Sequence, residues 1–412
     1  MTNLHNAFSL SISAEHNSMV SNNFNQGYYE LHKYLVNSGE REPSRYGDTI
    51  ELLNFKTAVL NPYQRCVGGY NRNINIFFLL AEALWIWAGR RDVKFLQIFN
   101  SNMGEFSDDG VHFHAPYGWR LRNYGVDSMT AFNDSNKHSM IGLDQISYAI
   151  SMLEKNSQDR RVVLGIWNAE LDLNKQSKDL PCNDLLMLKV RNGKLHSTIA
   201  NRSNDLDWGL ATNIFQFSFI TEIIANTLGV KLGTQTHNSQ SLHLYTNNPL
   251  TDEIEINRNA NIGSPLLYDN ADATPMDFNF EETIHPDTTA FEKLKAVDWW
   301  VNSMISKLLL VVDGNMEDTE LDSFKANLQN FSNYFHMIFC LLEIYIRYKN
   351  KQLTRVGAFS DILQFPSDLH KDSDNIVLAL NFFAKRMIVQ EDVDVVNQAK
   401  NIRSSLNHIG GY

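Results

Sequence analysis

The sequence predicts a mixed α/β (α+β) fold, followed by an all-helical C-terminal extension. Two short, β-rich apolar runs, Arg161–Trp167 and Leu185–Val190, are typical of buried strands. The segment Ile74–Trp87 is apolar on nearly every side, which is typical of a helix buried on most of its faces. After Pro286, apolar residues recur at helical spacing and no convincing strand pattern remains.

The clearest local signal is a β-hairpin. Asn-Gly within Arg191–Lys194 is a strong two-residue turn signal between the strand Leu185–Val190 and a partner strand at Leu195–Ala200. A long helix is expected over Thr212–Leu228, ending before Gly229. Four further helical segments are expected in the extension, at Phe291–Val312, Phe331–Tyr348, Ile376–Val389 and Val393–Ile402.

The length of 412 residues favours one large domain plus a second unit. We expect a loose N-terminal leader over residues 1–28, a catalytic domain over residues 29–286 and a helical extension over residues 287–412. The leader is polar and lacks the basic-then-apolar pattern of a signal peptide, so it is interpreted as part of a cytoplasmic protein.

Composition narrows the classes of function. A hydrophobic fraction of 43% with 20% charged residues is ordinary for a globular protein, and no apolar run reaches the roughly 18 residues of a membrane span. A net charge of −11 argues against non-specific or stable nucleic-acid binding. The three cysteines, Cys66, Cys182 and Cys340, are far apart and odd in number, which excludes a disulfide framework and a CxxC metal site.

Cys182 is the best candidate nucleophile. It follows Pro181 just before a predicted strand, where a sulfur can stay partly exposed. The hairpin gives Arg202 a route back to Cys182, and an arginine beside a cysteine stabilises its reactive thiolate. The alternative is a buried structural cysteine with an unrelated surface arginine.

The segment Asn201–Ser218 resembles the signature of the thymidylate synthases, and Leu180–Cys182 resembles the Pro-Cys active-site motif of that family. Other segments fall in the family's order, at Ala81–Gly89, Pro116–Arg120, Asp159–Asn168 and Ser241–Asn248. The resemblance covers roughly residues 45–286 and implies a thymidylate synthase-type mixed sheet with packed helices. The family also includes deoxypyrimidine-nucleotide hydroxymethylases.

The resemblance implies that Cys182 attacks C6 of a pyrimidine nucleoside monophosphate, and that C5 then captures the methylene of 5,10-methylenetetrahydrofolate. Arg202 would contact both phosphate and nucleophile, and Ser203 would bind phosphate. Arg160 and Arg161 would reach the partner's phosphate across a homodimer with shared active sites. A phosphate dianion suits several charge-assisted donors. Without the resemblance, Arg160 and Arg161 could equally be solvated residues before a strand.

Three residues would read the nucleoside. Asn213 matches the amide that reads the pyrimidine edge and favours uracil, although it could also be a helix N-cap. His243 and Tyr245 resemble the His-x-Tyr pair that binds the sugar 3′-hydroxyl. Alternate residues on a strand face the same way, so both can point into one pocket. The alternative for His243 is a structural histidine.

The remaining site residues surround the reacting carbon. Glu82 lies in an apolar helix, where a carboxylate is costly unless it is bonded or functional. It matches the family glutamate that organises proton transfer, and its alternative is a core-edge glutamate paired with arginine. The resemblance implies that Tyr117, Trp167 and Asn168 line the pocket and that Asp205 binds the pterin.

Several positions depart from the family pattern. Asn183 stands where many synthases have histidine, and Asn201 replaces the usual glutamine. The phosphate loop near the N-terminus is not recognisable, and Arg45 is only a weak substitute for it. The chain also continues for over a hundred residues, to Asn407–Tyr412, where synthases end in an apolar tail that closes the site.

A tryptophan pair that lies against the folate in many synthases is also missing. One alignment places Met103 and Phe106 there, and another places Phe99 and Asn102. A less sealed site lets water quench the exocyclic methylene instead of the folate hydride. The sequence therefore favours hydroxymethylation over the reductive methylation of a thymidylate synthase. A non-catalytic nucleotide- or RNA-binding relative is the alternative from another class.

Overall fold

The computed structural model describes residues 10–44, 46–68, 74–130, 142–247, 275–280 and 288–365, with 375–376, 378–380 and 382–383. Arg45, the expected boundary near residue 287, the expected helix Val393–Ile402 and the segment Asn407–Tyr412 lie outside the described residues, and Ile376–Val389 is described only in part.

One mixed sheet organises the described part of the chain. Its strands are β1 Leu10–Ser13, β2 Ser18–Ser21, β3 Glu40–Glu42, β4 Thr49–Val59, β5 Val163–Gly165, β6 Asn183–Arg191, β7 Lys194–Asn201, β8 Asn204–Asp205 and β9 Lys231–Tyr245. The order is β1-β2-β4-β9-β7-β6-β5, with β3 paired to β4 and β8 to β9. The predicted mixed-sheet fold class is confirmed.

Helices cover the sheet and form the C-terminal extension. They are α1 Phe24–Ser38, α2 Ile76–Trp87, α3 Val93–Phe99, α4 Tyr117–Arg122, α5 Gln145–Lys155, α6 Ala169–Asp172, α7 Ala211–Thr227, α8 Ala290–Val312, α9 Asp318–Phe331, α10 Asn333–Lys349 and α11 Arg355–Leu363. A 3-10 segment spans Ser101–Phe106 and a π-helical segment spans Leu206–Leu210. None of the described helices is long and apolar enough to cross a membrane.

The predicted hairpin is confirmed as β6 and β7. Its turn residues Asn192 and Gly193 have φ angles of 52° and 71°, the left-handed pair that a tight two-residue turn requires. Register pairs Asn183 with Asn201, so the residues that flank the two strands meet at the end opposite the turn. This is the end that carries Cys182 and Arg202.

The N-terminal segment differs from the expected loose leader. From Leu10 onward it forms β1 and β2, and β2 runs parallel to β4. Helix α1 then begins at Phe24, capped by the side chain of Asn23. Met19, Phe24 and Tyr28 are fully buried, so the segment gains apolar burial that outweighs its polar composition.

The extension packs directly on the catalytic helices. Tyr345 of α10 stacks on Phe77 of α2, with ring centroids 4.6 Å apart. Buried residues of α8 and α10 belong to the same apolar cluster as those of α2, α5 and α7. A buried ion pair between Arg65 and Glu222 lies close by, and Glu222 also accepts the Met276 amide at 2.6 Å. The two parts therefore share one core.

Candidate active site

Cys182 and Arg202 lie together at the open end of the β6–β7 hairpin. The Arg202 amide donates to the Cys182 carbonyl at 3.0 Å, which continues the ladder by one residue. The guanidinium then turns back: Nε donates to the Pro181 carbonyl at 2.8 Å, and Nη2 lies 3.9 Å from the Cys182 Sγ. Backbone contacts thus hold a positive charge beside a partly exposed sulfur.

The electrostatics of Cys182 are balanced between opposing effects. Burial raises the pKa of its thiol and the Arg202 guanidinium lowers it, while the carboxylates of Asp179, Asp184 and Asp205 raise it further. Arg202 is therefore the neighbour that stabilises the ionised thiolate, since burial and the three carboxylates favour the protonated thiol.

Asp179 was not identified from the sequence, yet it lies in the electrostatic surroundings of Cys182. Its Oδ2 accepts the Ala115 amide at 2.8 Å, and burial raises its pKa to about 6. A carboxyl with that pKa can exchange a proton near neutral pH. Its position three residues before Cys182 was the only sequence signal.

Tyr117 begins α4 beside the same sulfur. Burial, together with the negative charges of Cys182 and Asp179, raises the pKa of Tyr117 well above its ordinary value. Its hydroxyl consequently remains a proton-bearing donor at neutral pH. Gly118 permits this position, because a Cβ there would lie 2.0 Å from the Ile86 carbonyl oxygen of α2.

Glu82 projects from α2 toward α7. Its Oε2 accepts a hydrogen bond from Gln216 Nε2 at 2.7 Å, and the same nitrogen donates to the Leu79 carbonyl at 3.1 Å. Burial raises the pKa of Glu82 to about 7, although the bond from Gln216 opposes that rise. Among the described residues, the side-chain partner of Glu82 is Gln216 and not an arginine.

Asn213 lies in the first turn of α7 and is almost fully buried. Its Oδ1 accepts from Asn183 Nδ2 at 3.1 Å, and its Nδ2 donates to Asn204 Oδ1 at 3.3 Å. The alternative of a helix N-cap is wrong, because the cap position is Leu210 and the π-helical segment runs directly into α7. The carboxamide is instead held by two other side chains.

His243 and Tyr245 lie on one face of β9, with ring centroids 5.4 Å apart. Burial lowers the pKa of His243, so the ring is neutral, and its Nδ1 lies 3.2 Å from Ser241 Oγ. Strand β8 pairs with β9 so that Asp205 lies opposite His243. The sugar-binding candidates and the pterin-binding candidate thus lie on neighbouring strands.

Asp205 and Asn168 also cap helical segments. Each oxygen of Asp205 accepts one backbone amide, from Asp207 at 3.0 Å and from Trp208 at 3.2 Å. Asn168 Oδ1 accepts the amides of Glu170 and Leu171 at the start of α6. The two side chains therefore fix the backbone at the start of the π-helical segment and at the start of α6.

Trp167 lies over the guanidinium of Arg202, with Cζ 5.8 Å from the ring centroid. Its amide donates to the Asp184 carbonyl at 2.9 Å, which ties it to the start of β6. Ser203, half-buried, follows Arg202 directly. Trp167 and Arg202 therefore lie on the same side of the hairpin end as Cys182.

Arg160 and Arg161 are exposed on the surface before β5. Arg161 pairs with Asp159 at 2.6 Å while its side chain is 82% exposed. This bond is the main reason that the pKa of Asp159 is lowered to about 2. Both arginines are therefore exposed to solvent, and Arg161 is held by Asp159.

A buried cluster that contacts the Asn168 backbone was also missed from the sequence. Asp172 accepts from Arg120 Nη2 at 2.7 Å, lies 2.9 Å from His114 Nε2 and accepts the Asn168 amide at 2.8 Å. Charged groups at such depth must be paired and hydrogen-bonded. The cluster fixes the segment that carries Tyr117 relative to Asn168.

The residues that the two alignments place at the missing tryptophan positions differ in their surroundings. Phe99 is buried and stacks on Tyr345, with centroids 5.7 Å apart, so it belongs to the core shared with the extension. Asn102, Met103 and Phe106 lie on the 3-10 segment, where Phe106 is 52% exposed. No tryptophan occupies this segment in either alignment.

Comparison with known proteins agrees with this geometry. A profile of the thymidylate synthase family matches residues 26–296, which is more than half of the chain. The chain belongs to the thymidylate synthase family. It is 38% identical over 300 residues to the deoxyuridylate hydroxymethyltransferase of Bacillus phage SP01, covering 72% of this chain and 74% of that protein.

Two further family members are similar over shorter stretches. The deoxyuridylate hydroxymethyltransferase of Pseudomonas phage M6 is 36% identical over 226 residues, covering 54% of this chain and 60% of that protein. The thymidylate synthase of Bacillus licheniformis is 28% identical over 222 residues, covering 52% of this chain and 75% of that protein.

Proposed function

We propose that this chain is a deoxyuridylate hydroxymethylase, which adds a hydroxymethyl group to C5 of dUMP. It is a pyrimidine-nucleotide one-carbon transferase of the thymidylate synthase family. The observation that carries the proposal is the Arg202 guanidinium 3.9 Å from the Cys182 sulfur, at one end of the hairpin whose Asn183 bonds Asn213. The names of the two phage relatives support the uracil base and the hydroxymethyl product.

Covalent activation begins with Cys182. Its thiolate, stabilised by Arg202, adds to C6 of uracil, so that an S–C6 bond forms and the C5–C6 π electrons move to C5 and O4. Tyr117 remains protonated and can donate a hydrogen bond at the site. Glu82, with a pKa of about 7, can hold or release a proton as charge develops at O4.

Substrate binding is divided among the other residues. Asn213 reads the uracil edge, while His243 and Tyr245 bind the 3′-hydroxyl. Arg202 and Ser203 bind the phosphate. Arg160 and Arg161 of the second subunit complete that phosphate site in a homodimer, which gives these exposed arginines a function.

The family uses a folate, and we propose 5,10-methylenetetrahydrofolate for this chain. Asp205 is the pterin-binding candidate, because its carboxylate stands at the start of the π-helical segment and opposite His243 on the neighbouring strand. The exposed indole of Trp208, 61% accessible, offers an apolar face three residues away. When bound, the folate supplies the one-carbon unit that becomes attached to C5.

Water access decides between hydroxymethylation and the second candidate, reductive methylation as in thymidylate synthases. In one alignment, Met103 and Phe106 of the 3-10 segment occupy the positions where many synthases have tryptophans that seal the site. Phe106 is exposed to solvent. Water that reaches the exocyclic methylene adds its oxygen there and releases a proton, while the S–C6 bond breaks, the C5–C6 double bond is restored and Cys182 leaves as the thiolate; the result is the hydroxymethyl product. The 28% identity to a thymidylate synthase is what favours the second candidate.

The test is mass spectrometry of products from dUMP, dCMP, UMP and CMP, each with 5,10-methylenetetrahydrofolate. We expect dUMP to gain CH2O, whereas a gain of CH2 would establish reductive methylation instead. Cys182→Ser is the matched control, since the hydroxyl is a far poorer nucleophile. Absence of any product and of tritium release from 5-³H-dUMP would favour the non-catalytic alternative. All three cysteines are free, which suits the cytoplasmic location that we propose.

A further inference from the structure

A chain of buried amide groups and one imidazole lies beneath Asn213 and takes no part in the chemical steps. Its links are the side chains of Gln235, His237, Asn201 and Asn183, none more than 1% exposed. They come from three adjacent strands, β9, β7 and β6. We call this set the amide relay.

The direction of the amide relay is set by a backbone carbonyl. Gln235 Nε2 donates to the Ile214 carbonyl at 3.2 Å, and a carbonyl can only accept. The same Nε2 lies 2.9 Å from His237 Nε2, which must therefore be an acceptor. Burial lowers the pKa of His237 to about 3, so the ring is neutral and its single proton is on Nδ1.

Each later link follows from the previous one. His237 Nδ1 donates to Asn201 Oδ1 at 3.3 Å, which leaves Nδ2 of Asn201 to donate to Asn183 Oδ1. Asn183 then donates through Nδ2 to Asn213 Oδ1 at 3.1 Å. A flip of any one amide would place two donors or two acceptors against each other.

The hydrogen bonds between Asn213 and Asn204 agree with this orientation of the Asn213 carboxamide. Asn213 Nδ2 donates to Asn204 Oδ1 at 3.3 Å, and Asn204 Nδ2 in turn contacts Ser239 Oγ at 3.1 Å. One lone pair of Asn213 Oδ1 and one N–H of Nδ2 are left for a ligand. The acceptor Oδ1 matches N3–H of uracil and the donor Nδ2 matches O4. Cytosine has an acceptor at N3 and a donor at its 4-amino group, so it needs the opposite orientation of the carboxamide.

We propose that the amide relay fixes the orientation of the Asn213 carboxamide and so makes the site select uracil over cytosine, with Asn201 and His237 as positioning residues. The inference rests on the proposed function and deepens it. Reversing Asn213 for cytosine would reverse every link, and Gln235 would finally turn its oxygen against the Ile214 oxygen. Specificity thus depends on residues that do not touch the base as well as on Asn213.

The test reverses the relay with Asn201→Asp, which keeps the shape of the side chain. The titration is run at a pH at which the infrared carboxylate band shows the introduced carboxyl to be ionised. The carboxylate then only accepts, so Asn183 must turn its Nδ2 toward it, and Asn213 must turn in response. Isothermal titration without folate measures the Kd for dUMP and for dCMP. We expect the preference for dUMP over dCMP to fall by about tenfold or more, since a mismatched buried pair costs at least that much.

The control is Asn25→Asp, the same change at a buried asparagine outside the relay, whose Oδ1 accepts the Gly68 amide at 2.9 Å. It should leave the ratio of the two Kd values unaltered. Should Asn201→Asp fail to fold by circular dichroism, Asn183→Asp makes the same reversal one link nearer to Asn213. An unaltered ratio in a folded relay variant overturns the relay, while the parent's binding of dUMP leaves the proposed function standing. A parent that binds neither nucleotide overturns both.

Discussion

Glu82→Gln is expected to make the protein more stable and less active at alkaline pH. Burial raises the pKa of Glu82 from its ordinary 4.5 to about 7. In the unfolded chain the carboxyl ionises near its ordinary value, whereas the folded protein retains the proton until about pH 7. The folded state therefore loses stability as pH rises through this window, and the loss is complete above it.

The magnitude follows from the two pKa values. Their difference corresponds to about 3 kcal/mol, which is an upper bound because Glu82 as a residue is only half-buried. A glutamine at this position still accepts the 2.7 Å bond from Gln216, so the change removes charge and keeps the contact. The variant should match the parent at about pH 4 and exceed it by up to about 3 kcal/mol at about pH 8.

Urea unfolding of parent and variant across this pH range measures the difference in the free energy of unfolding. Glu30→Gln, at an exposed position of α1, controls for the loss of one negative charge from a chain of net charge −11. Turnover of the Glu82 variant should fall by about 10²–10⁴-fold, because an amide cannot transfer the proton. A stability difference that does not grow with pH would refute the burial argument.

Three further predictions concern other parts of the molecule. Arg202→Gln should move the pH midpoint for alkylation of Cys182 by iodoacetamide upward, since the guanidinium is the group that lowers the thiol pKa; an unmoved midpoint would mean that Arg202 does not act on the sulfur. Mixing Arg161→Ala with Cys182→Ser subunits should restore about a quarter of parental activity, because half of the dimers are mixed and each has one sound site; no recovery, once subunit exchange is demonstrated with mass-tagged chains, would contradict shared sites. Arg65→Met should lower the free energy of unfolding by about 3–5 kcal/mol by leaving Glu222 buried without its partner; a loss below about 1 kcal/mol, measured by urea unfolding, would count against that pairing.

Local patterns predicted the hairpin and the meeting of Cys182 with Arg202, because Asn-Gly turns and alternating residues are short-range signals. The long strand β9 was not predicted along its whole length. It buries Gln235, His237 and Ser239, so its inward face lacks the apolar alternation that marks a strand.

The rest of the site depends on contacts between distant segments. Gln216 reaches Glu82 across 134 residues, and Asp172 reaches His114 across 58. Such pairs carry no local spacing that a single sequence can reveal. The alternative of a helix N-cap at Asn213 is wrong for a related reason. A π-helical segment precedes α7, so the cap position is Leu210.

The core shared by α2, α7, α8 and α10 has a consequence for how the chain can be divided. Deleting the extension would uncover the apolar faces of α2 around Phe77, which Tyr345 now covers. Glu82 lies on that same helix, so its distance from Gln216 depends on packing supplied from beyond residue 287. Limited proteolysis should therefore find no fragment without helices α8 and α10 that retains turnover, because these helices and α2 share one apolar core.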